Sequence, residues 1–168
     1  MSEPKNRRGE AKDILAKTVV LFFVWMLGGA QMAWAAGDVS TTAHVKRIAE
    51  LVNRERSTHR REALRLDAGL CEAAQKRASE IAAKYSHTRP DDREFQTALT
   101  DEEISYRIAE ENIGRSSRQT QPEAIMKVWM DSKPQRDNIL MPQFQRIGVG
   151  VVTGAGGEIY WVQLFTAP

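Results

Sequence analysis

His87 and Glu111 are the side chains of this sequence best suited to acid–base chemistry. His87 lies in the polar run Ser-His-Thr-Arg-Pro, and Glu111 precedes Asn112, Ile113 and Gly114. An imidazole and a carboxylate can exchange protons with a substrate near neutral pH, and both are common ligands of divalent metals. A histidine that follows a helix is, however, more often a capping or surface group. The chemistry of the pair therefore depends on whether the surrounding elements bring the two side chains together.

No local motif marks a nucleophile. Ser86 adjoins His87, but neighbours in sequence need not meet in space, and the Gly-x-Ser-x-Gly motif of α/β-hydrolases is missing from the 168 residues. Cys71 is the only cysteine among them, so no disulfide can form within these residues. It precedes Ala74 and Ala78 on an apolar helical face, which predicts a small buried thiol. We therefore expect core packing to hold the domain together.

Composition and charge are typical of a globular domain. Of the 168 residues, 42% are hydrophobic and 27% are charged, which indicates neither a disordered chain nor a polytopic membrane protein. Residues 1–36 contain five of the 24 Lys and Arg and three of the 22 Asp and Glu, so residues 37–168 carry 19 of each sign. A neutral domain gives no electrostatic reason to expect nucleic acid as a partner.

The N-terminus predicts export from the cytoplasm. A basic start is followed by an apolar run from Thr18 to Leu27 and by Ala33-Trp34-Ala35-Ala36, which fits the small-x-small pattern of a signal peptidase site. We interpret residues 1–36 as a signal peptide and residues 37–168 as a single domain that is secreted or periplasmic. Alternatively, residues 18–36 remain as an uncleaved anchor that tethers the domain to the membrane, because a segment of this length just spans a bilayer.

Hydrophobic spacing predicts three helices. From Ala43 the apolar residues recur at intervals of three and four, which is typical of an amphipathic helix that continues to about Arg56. Asp67 is a suitable N-cap for a second, alanine-rich helix that continues to Tyr85. Pro122 begins a third helix, because proline is well tolerated in a first helical turn. The polar residues after this third helix are interpreted as a loop.

Two runs rich in branched and aromatic residues predict a β-hairpin. They cover residues 147–152 and 158–165 and are joined by a glycine-rich turn. Gly148 and Gly150 fall on the same face of the first strand, so we expect a close neighbour there. The segment 93–110 lacks a clear period and is interpreted as a loop with a short helix at most.

A basic cluster lies on the outer face of the first helix and on the loop that follows it. It could contact anionic lipid or a cell-wall polymer, although a solvated face is the simpler interpretation. Its members are Arg54, Arg56, Arg60, Arg61 and Arg65.

A series of short motifs extends from about Ile48 to Phe165. In chain order they are Leu51-Val52-Asn53-x-x-Arg56, Leu64-x-Leu66-Asp67-x-x-Leu70, Ser86-His87-Thr88-Arg89-Pro90-Asp91, Glu111-Asn112-Ile113, Trp129-x-x-Ser132, Arg136-x-Asn138-Ile139-Leu140, Phe144-x-x-Ile147-Gly148-Val149-Gly150 and Trp161-Val162-Gln163. This ordered set resembles the CAP superfamily, also called the SCP domain, which includes cysteine-rich secretory proteins, venom antigen 5 and plant pathogenesis-related class 1 proteins. The resemblance is strongest to its short bacterial branch.

The resemblance implies an α+β fold, a three-layer α-β-α sandwich with a central antiparallel sheet and a surface cleft. In many members two histidines and two acidic residues line this cleft and can hold a divalent metal. His87 matches the first histidine and Glu111 the first glutamate. The position of the second histidine holds Gln135, and that of the second glutamate holds Ser132.

Only half of the metal-binding residues are therefore kept. We expect no cofactor and no tight metal site, because an amide is a poor zinc ligand; His87 and Glu111 alone could bind a divalent ion only weakly. The predicted cleft residues, by resemblance, are His87, Glu111, Asn112, Ser132, Gln135, Arg136 and Asn138.

Three functions fit these observations. We favour a secreted or envelope-associated binding module, without catalysis, whose partner is a lipid, an envelope polymer or a protein. The alternative is an extracellular hydrolase in which His87 and Glu111 act as the acid–base pair. In the third interpretation the two residues only tie the loop to the last helix.

Overall fold

Five helices and four strands are formed by residues 41–168, the part of the chain that this computed structural model describes. In chain order they are α1 (41–58), β1 (Arg65–Leu66), α2 (Ala68–Ala83), α3 (Thr97–Asp101), β2 (Ile108–Ser116), α4 (Pro122–Asp131), α5 (Lys133–Leu140), β3 (Arg146–Thr153) and β4 (Ile159–Ala167). The predicted signal peptide or anchor lies outside the described residues. Within them, no helix combines the length and apolar character that a membrane span requires.

The strands form one sheet in the order β1-β3-β4-β2. The predicted hairpin is confirmed, because β3 and β4 pair antiparallel, and β2 pairs antiparallel with the other edge of β4. The sheet is nevertheless mixed rather than purely antiparallel, since the two residues of β1 run parallel to the start of β3. This short strand leads directly into α2 and so places the beginning of that helix over β3.

Helices cover both faces of the sheet, which confirms the α-β-α sandwich. All nine residues of β4 are buried, and their side chains alternate between two cores. Trp161 and Phe165 pack with residues of α1, α4 and α5, whereas Val162 and Leu164 pack with residues of α2 and α3. The sheet thus separates two hydrophobic layers, and β2 lies at its edge beside both.

Gly148 and Gly150 allow α2 to lie directly on β3. A Cβ atom at Gly148 would be 2.2 Å from the carbonyl carbon of Leu70, and one at Gly150 would be 2.1 Å from the carbonyl oxygen of Ala74. The prediction of a close neighbour is confirmed, and that neighbour is the helix backbone. The buried alanines of α2 serve the same approach, because small side chains shorten the distance between helix and sheet.

The predicted helices are confirmed with small shifts at their ends. Asp67 caps α2, since its side chain accepts a hydrogen bond from the Leu70 amide at 3.1 Å, and the helix ends at Ala83 rather than Tyr85. Cys71, predicted to be buried on this helix, is half-buried, and its surroundings raise the pKa of the thiol, chiefly through desolvation.

Two elements differ from the sequence-based interpretation. Residues 108–116 are strand β2, although the interpretation ended a loop at residue 110, and the polar segment around Gln135 is helix α5 rather than a loop. The centre of β2 carries Glu110, Glu111 and Asn112, so it lacks the apolar alternation that marks a strand. Helix α5 starts with a proline in its first turn and is mostly polar, which hides its helical character.

The basic cluster is also not a uniform outer face. Arg56 is fully buried, and it donates to the carbonyl oxygens of Glu62, Ile139 and Met141 at 2.7, 2.7 and 2.9 Å. A buried guanidinium can satisfy several carbonyls at once, so Arg56 joins α1 to the end of α5.

Gly150→Ala should destabilise the domain by about 2 to 3 kcal/mol, because its new methyl group would overlap the α2 backbone. Urea unfolding measures this change. Gly156→Ala is the matched control, since nothing lies within 4 Å of the point that its methyl group would occupy, and its effect should stay within about 0.5 kcal/mol. Equal effects of the two substitutions would contradict the close approach of α2 to β3.

Candidate functional site

The structure brings His87 and Glu111 into direct contact. Glu111 lies in the middle of β2, and His87 follows α2 by a few residues. The His87 Nδ1 and Glu111 Oε2 atoms are 2.8 Å apart. Because a carboxylate accepts, Nδ1–H is the donor, and Nε2 is the ring nitrogen that Glu111 does not engage. The Glu111 side chain has no exposed surface, whereas that of His87 is 58% exposed.

Arg77 is the residue of this site that the sequence analysis missed. It is fully buried on α2, and its Nε and Nη2 atoms donate to Glu111 Oε1 and Oε2 at 2.8 and 3.3 Å. The same guanidinium donates to the carbonyl oxygens of Ser86 and His87 at 2.9 and 3.2 Å. One residue thus joins α2, β2 and the segment that carries His87. The available signal was its position next to Ala78 on the apolar face of α2, where a charged side chain needs a buried partner.

A chain of alternating charges continues from Arg77 toward the surface. Arg77 donates to Glu80 at 2.6 Å, Glu80 accepts from Arg89 at 2.6 Å, and Arg89 donates to Asp101 at 2.7 Å. Hydrogen bonds from Arg93 and then from Arg89 lower the pKa of Asp101 to about 2. These pairs fix the loop between α2 and α3, so the position of His87 does not depend on its own ring contact.

The negative charge of the buried Glu111 carboxylate is balanced by the guanidinium of Arg77. Burial disfavours the charged guanidinium of Arg77, but the hydrogen bonds and the charge of Glu111 outweigh this effect and raise its pKa. The pKa of His87 is raised as well, chiefly by its hydrogen bond to Glu111, against a smaller lowering by burial. The site therefore holds a buried carboxylate between a guanidinium and an imidazole, and it presents the imidazole outward.

The remaining predicted cleft residues lie mainly on the other side of β2. Gln135 Nε2 donates to the carbonyl oxygen of Ile113 at 3.0 Å, and Asn138 Nδ2 donates to Asn112 Oδ1 at 3.0 Å. Asn112 in turn donates to Gln163 Oε1 and to the carbonyl oxygen of Gln135, each at 3.0 Å. These amides cover polar groups along the edge strand, which is where a sheet is otherwise open to pairing.

Ser132 and Arg136 are not joined to His87 by any hydrogen bond within residues 41–168. Ser132 is the residue between α4 and α5, and its side chain makes no capping bond. Arg136 donates to the carbonyl oxygen of Met130 at 2.7 Å, so it stabilises the junction of these helices. The predicted cleft set thus divides into a charged group near α2, an amide group between β2 and α5, and two residues at the α4–α5 junction.

Arg77 engages the carboxylate that a divalent metal at His87 would use. Both Glu111 oxygens already accept from Arg77, whose positive charge opposes a second cation at the same carboxylate. Gln135 uses its amide nitrogen on the β2 backbone. Within the described part of the chain, no group of three or more His, Cys, Asp or Glu side chains is arranged to hold a metal ion.

Comparison with known proteins gives a consistent family match. The model of the cysteine-rich secretory protein family, CAP, matches residues 49–165. An uncharacterized Bacillus subtilis protein, YkwD, is 35% identical over 128 residues, which are 75% of this chain and 48% of YkwD. The chain therefore spans about half the length of this curated relative.

Solved structures share the same fold. An extracellular SCP-domain protein from Bacillus anthracis superposes with a TM-score of 0.68 at 24% identity, over 76% of this chain and 41% of the other. An outer surface protein of Borrelia burgdorferi gives a TM-score of 0.65 at 14% identity, over 73% of this chain and 90% of the other. At these identities the likeness concerns the fold.

Arg77→Met should destabilise the protein by about 3 to 5 kcal/mol, because it leaves the buried Glu111 carboxylate without its main partner. Urea unfolding of the full chain measures the loss. Lys127→Met removes an exposed cation that pairs with Asp131 at 2.6 Å on α4, and we expect a change within about 0.5 kcal/mol. A cost for Arg77→Met no larger than this control would show that Glu111 does not depend on Arg77.

An NMR titration of the His87 ring should give a pKa above 6.5, because the hydrogen bond to Glu111 favours the imidazolium. The resulting stabilisation is fully present below pH 6.5, the ordinary value, and is lost as the pH rises through the folded-state pKa. Glu111→Gln should lower the pKa of His87, and Glu110→Gln, which removes a weaker charge interaction, should lower it less. A pKa of His87 at or below 6.5 would contradict this geometry.

Proposed function

The chain belongs to the CAP family of cysteine-rich secretory proteins, and from this we propose that it is a binding module that acts outside the cytoplasm without catalysis. The single observation that carries the proposal is the burial and hydrogen bonding of the Glu111 carboxylate. Its carboxylate has no exposed surface and is hydrogen-bonded to both Arg77 and His87. A base that activates water must reach that water and gain its proton. Glu111 instead orients an exposed imidazole and raises its pKa, and the doubly protonated ring can donate through Nε2 to a hydrogen-bond acceptor.

We propose that the chain is secreted or periplasmic, with a membrane tether through residues 18–36 as the alternative. The sequence of residues 1–36 supports export. Two proteins with the same fold are described as an extracellular protein and an outer surface protein, which is compatible with this location. The partner is a lipid, an envelope polymer or a protein. Nucleic acid is disfavoured, because residues 37–168 carry equal numbers of basic and acidic side chains.

The proposed module works without a resident metal. The charge that a metal would supply next to Glu111 is already supplied by Arg77, at 2.8 Å from Oε1. A weak, transient divalent ion at His87 and Glu111 remains compatible with the proposal, but the binding surface does not depend on it.

A hydrolase is the alternative, and one observation favours it. The hydrogen bond from Nδ1 to Glu111 orients the imidazole in the manner of an acid–base histidine. Within residues 41–168, however, no hydroxyl or thiol is hydrogen-bonded to His87. The Ser86 hydroxyl accepts from the Thr88 amide at 3.1 Å, so it is engaged in the local turn. We therefore favour binding.

A purely structural role for His87 is also less favoured. Arg77 binds the carbonyl oxygens of Ser86 and His87, and this contact holds the segment to α2 and β2 without the imidazole. An exposed histidine that the local structure does not require is available for a ligand.

His87→Ala should abolish binding of the full chain to isolated cell envelopes and change the free energy of unfolding by less than about 1 kcal/mol, as for other exposed side chains. Cosedimentation and urea unfolding measure the two effects. His59→Ala is the matched control, because His59 is an exposed histidine on a different part of the surface, and it should leave both unchanged.

Two results would overturn the proposal. If envelope binding persists in His87→Ala, the imidazole does not form the binding surface. If the full chain hydrolyses members of a peptide and ester panel and His87→Ala loses that activity, the protein is a hydrolase.

A further inference from the structure

The segment that carries His87 lies beside β2 and places a second exposed side chain there. The Arg115 guanidinium carbon lies 5.7 Å from the centre of the Tyr85 ring. Glu111 and Arg115 are four residues apart on β2, so their side chains share one face about 13 Å apart. Because His87 contacts Glu111 and Tyr85 contacts Arg115, the segment lies beside this part of the strand.

Three of these side chains are open to solvent. The exposed fractions are 49% for Tyr85, 55% for the side chain of Arg115 and 58% for that of His87. Among the described residues, Tyr85 is the only aromatic residue in the group of exposed large hydrophobics. The contact with Arg115 has a physical basis, since a guanidinium is attracted to the face of an aromatic ring. Tyr85, His87 and Arg115 are called the Tyr85 row below.

We propose that the Tyr85 row binds an anionic polysaccharide, in which a sugar ring packs on Tyr85 and carboxylate groups bind Arg115 and His87. The inference rests on the proposed binding function and names its ligand class. A tyrosine ring offers an apolar face with a polar tip, which matches a sugar ring that has a C–H face and hydroxyl groups. An arginine binds a carboxylate through two parallel hydrogen bonds.

The two polar members of the row favour a polymer. Arg115 and His87 are separate exposed groups that can each bind a carboxylate, which suits a ligand that repeats its carboxylate along a chain. The neighbouring acids restrict the ligand but do not occupy the row. Glu158 Oε1 is 3.9 Å from Arg115 Nε, beyond hydrogen-bond distance, so a carboxylate ligand can displace this contact. Glu110 lies close enough to His87 to raise its pKa, with a smaller effect than that of Glu111.

The same observations disfavour a lipid surface and a protein interface. Insertion into a membrane surface requires a contiguous apolar face, and the other exposed large hydrophobics of the described chain, Leu66 and Val128, lie on β1 and α4. The centre of a protein interface is normally a desolvated patch surrounded by further contacts. Tyr85 is instead bordered by the charged Arg115 and the exposed His87.

The proposal is tested by measuring the affinity of the full chain for polygalacturonate with calorimetry. This polymer combines sugar rings with carboxylates. Tyr85→Ala and Arg115→Gln should each weaken binding about tenfold, the effect of about 1.4 kcal/mol from a lost stacking or charge contact. Tyr85→Phe keeps the ring, so its affinity for polygalacturonate should stay within about twofold of the wild-type value. Arg60→Gln removes the same charge from an exposed position on the α1–β1 loop, and it should also stay within about twofold.

Three further probes separate charge, sugar and lipid. Poly-L-glutamate has carboxylates without sugar rings, dextran has sugar rings without charge, and vesicles of phosphatidylglycerol and phosphatidylcholine present an anionic lipid surface. We expect weaker binding to each than to polygalacturonate. Equal binding to polyglutamate or dextran, Tyr85-dependent binding to the vesicles, or no binding to polygalacturonate would overturn the proposal.

The experiment also distinguishes the two proposals for this protein. If binding to cell envelopes depends on His87 but not on Tyr85 or Arg115, the Tyr85 row is wrong and the binding module stands. If the Tyr85 and Arg115 variants lose binding to polygalacturonate while His87→Ala still binds envelopes, the proposed ligand class is supported and the proposed role of His87 is wrong.

Discussion

A guanidinium in the interior of the protein is the interaction on which the site depends. Arg77 has no exposed surface, and it can remain charged there only because Glu111 and Glu80 compensate it and the carbonyl oxygens of Ser86 and His87 accept its remaining N–H groups. The three elements that must meet for His87 to face outward are the helix α2, the edge strand β2 and the segment after α2. All three bind this one side chain. The position of the imidazole therefore follows from the burial of Arg77.

The buried Glu111 carboxylate determines how the charged side chains are arranged on the α2 side of β2. The Glu111 carboxylate is buried and hydrogen-bonded to both Arg77 and His87, so it orients the imidazole and raises the pKa of His87. On the other side of β2, Gln135 donates to the Ile113 carbonyl instead of contacting the charged group. The two sides of this strand are thus stabilised separately, by ion pairs near α2 and by amides under α5. Tyr85, His87 and Arg115 are exposed side chains beside this strand.

The elements of the fold could be predicted from the sequence wherever residues close together in the chain determine them. The glycine pair at 148 and 150, the cap at Asp67 and the hairpin each follow from residues that are close in the chain, and the ordered motifs indicated the family. Strand β2 and helix α5 could not be recognised, because their polar residues are satisfied by partners far away in sequence. His87 and Glu111 were found because their types suggest chemistry. Arg77 was missed because its role depends on a partner 34 positions away.

Calorimetric titration of zinc into the full chain at pH 7 tests most directly whether Arg77 keeps the Glu111 carboxylate from binding a metal. With Arg77 donating to both carboxylate oxygens, a zinc ion would meet a neutralised anion and one imidazole, and we predict no binding tighter than about 1 mM. The same titration of His87→Ala should give the same result. A single site in the wild-type chain with a dissociation constant near about 1 μM, lost in His87→Ala, would contradict the central claim, because Glu111 would then be free to bind a metal.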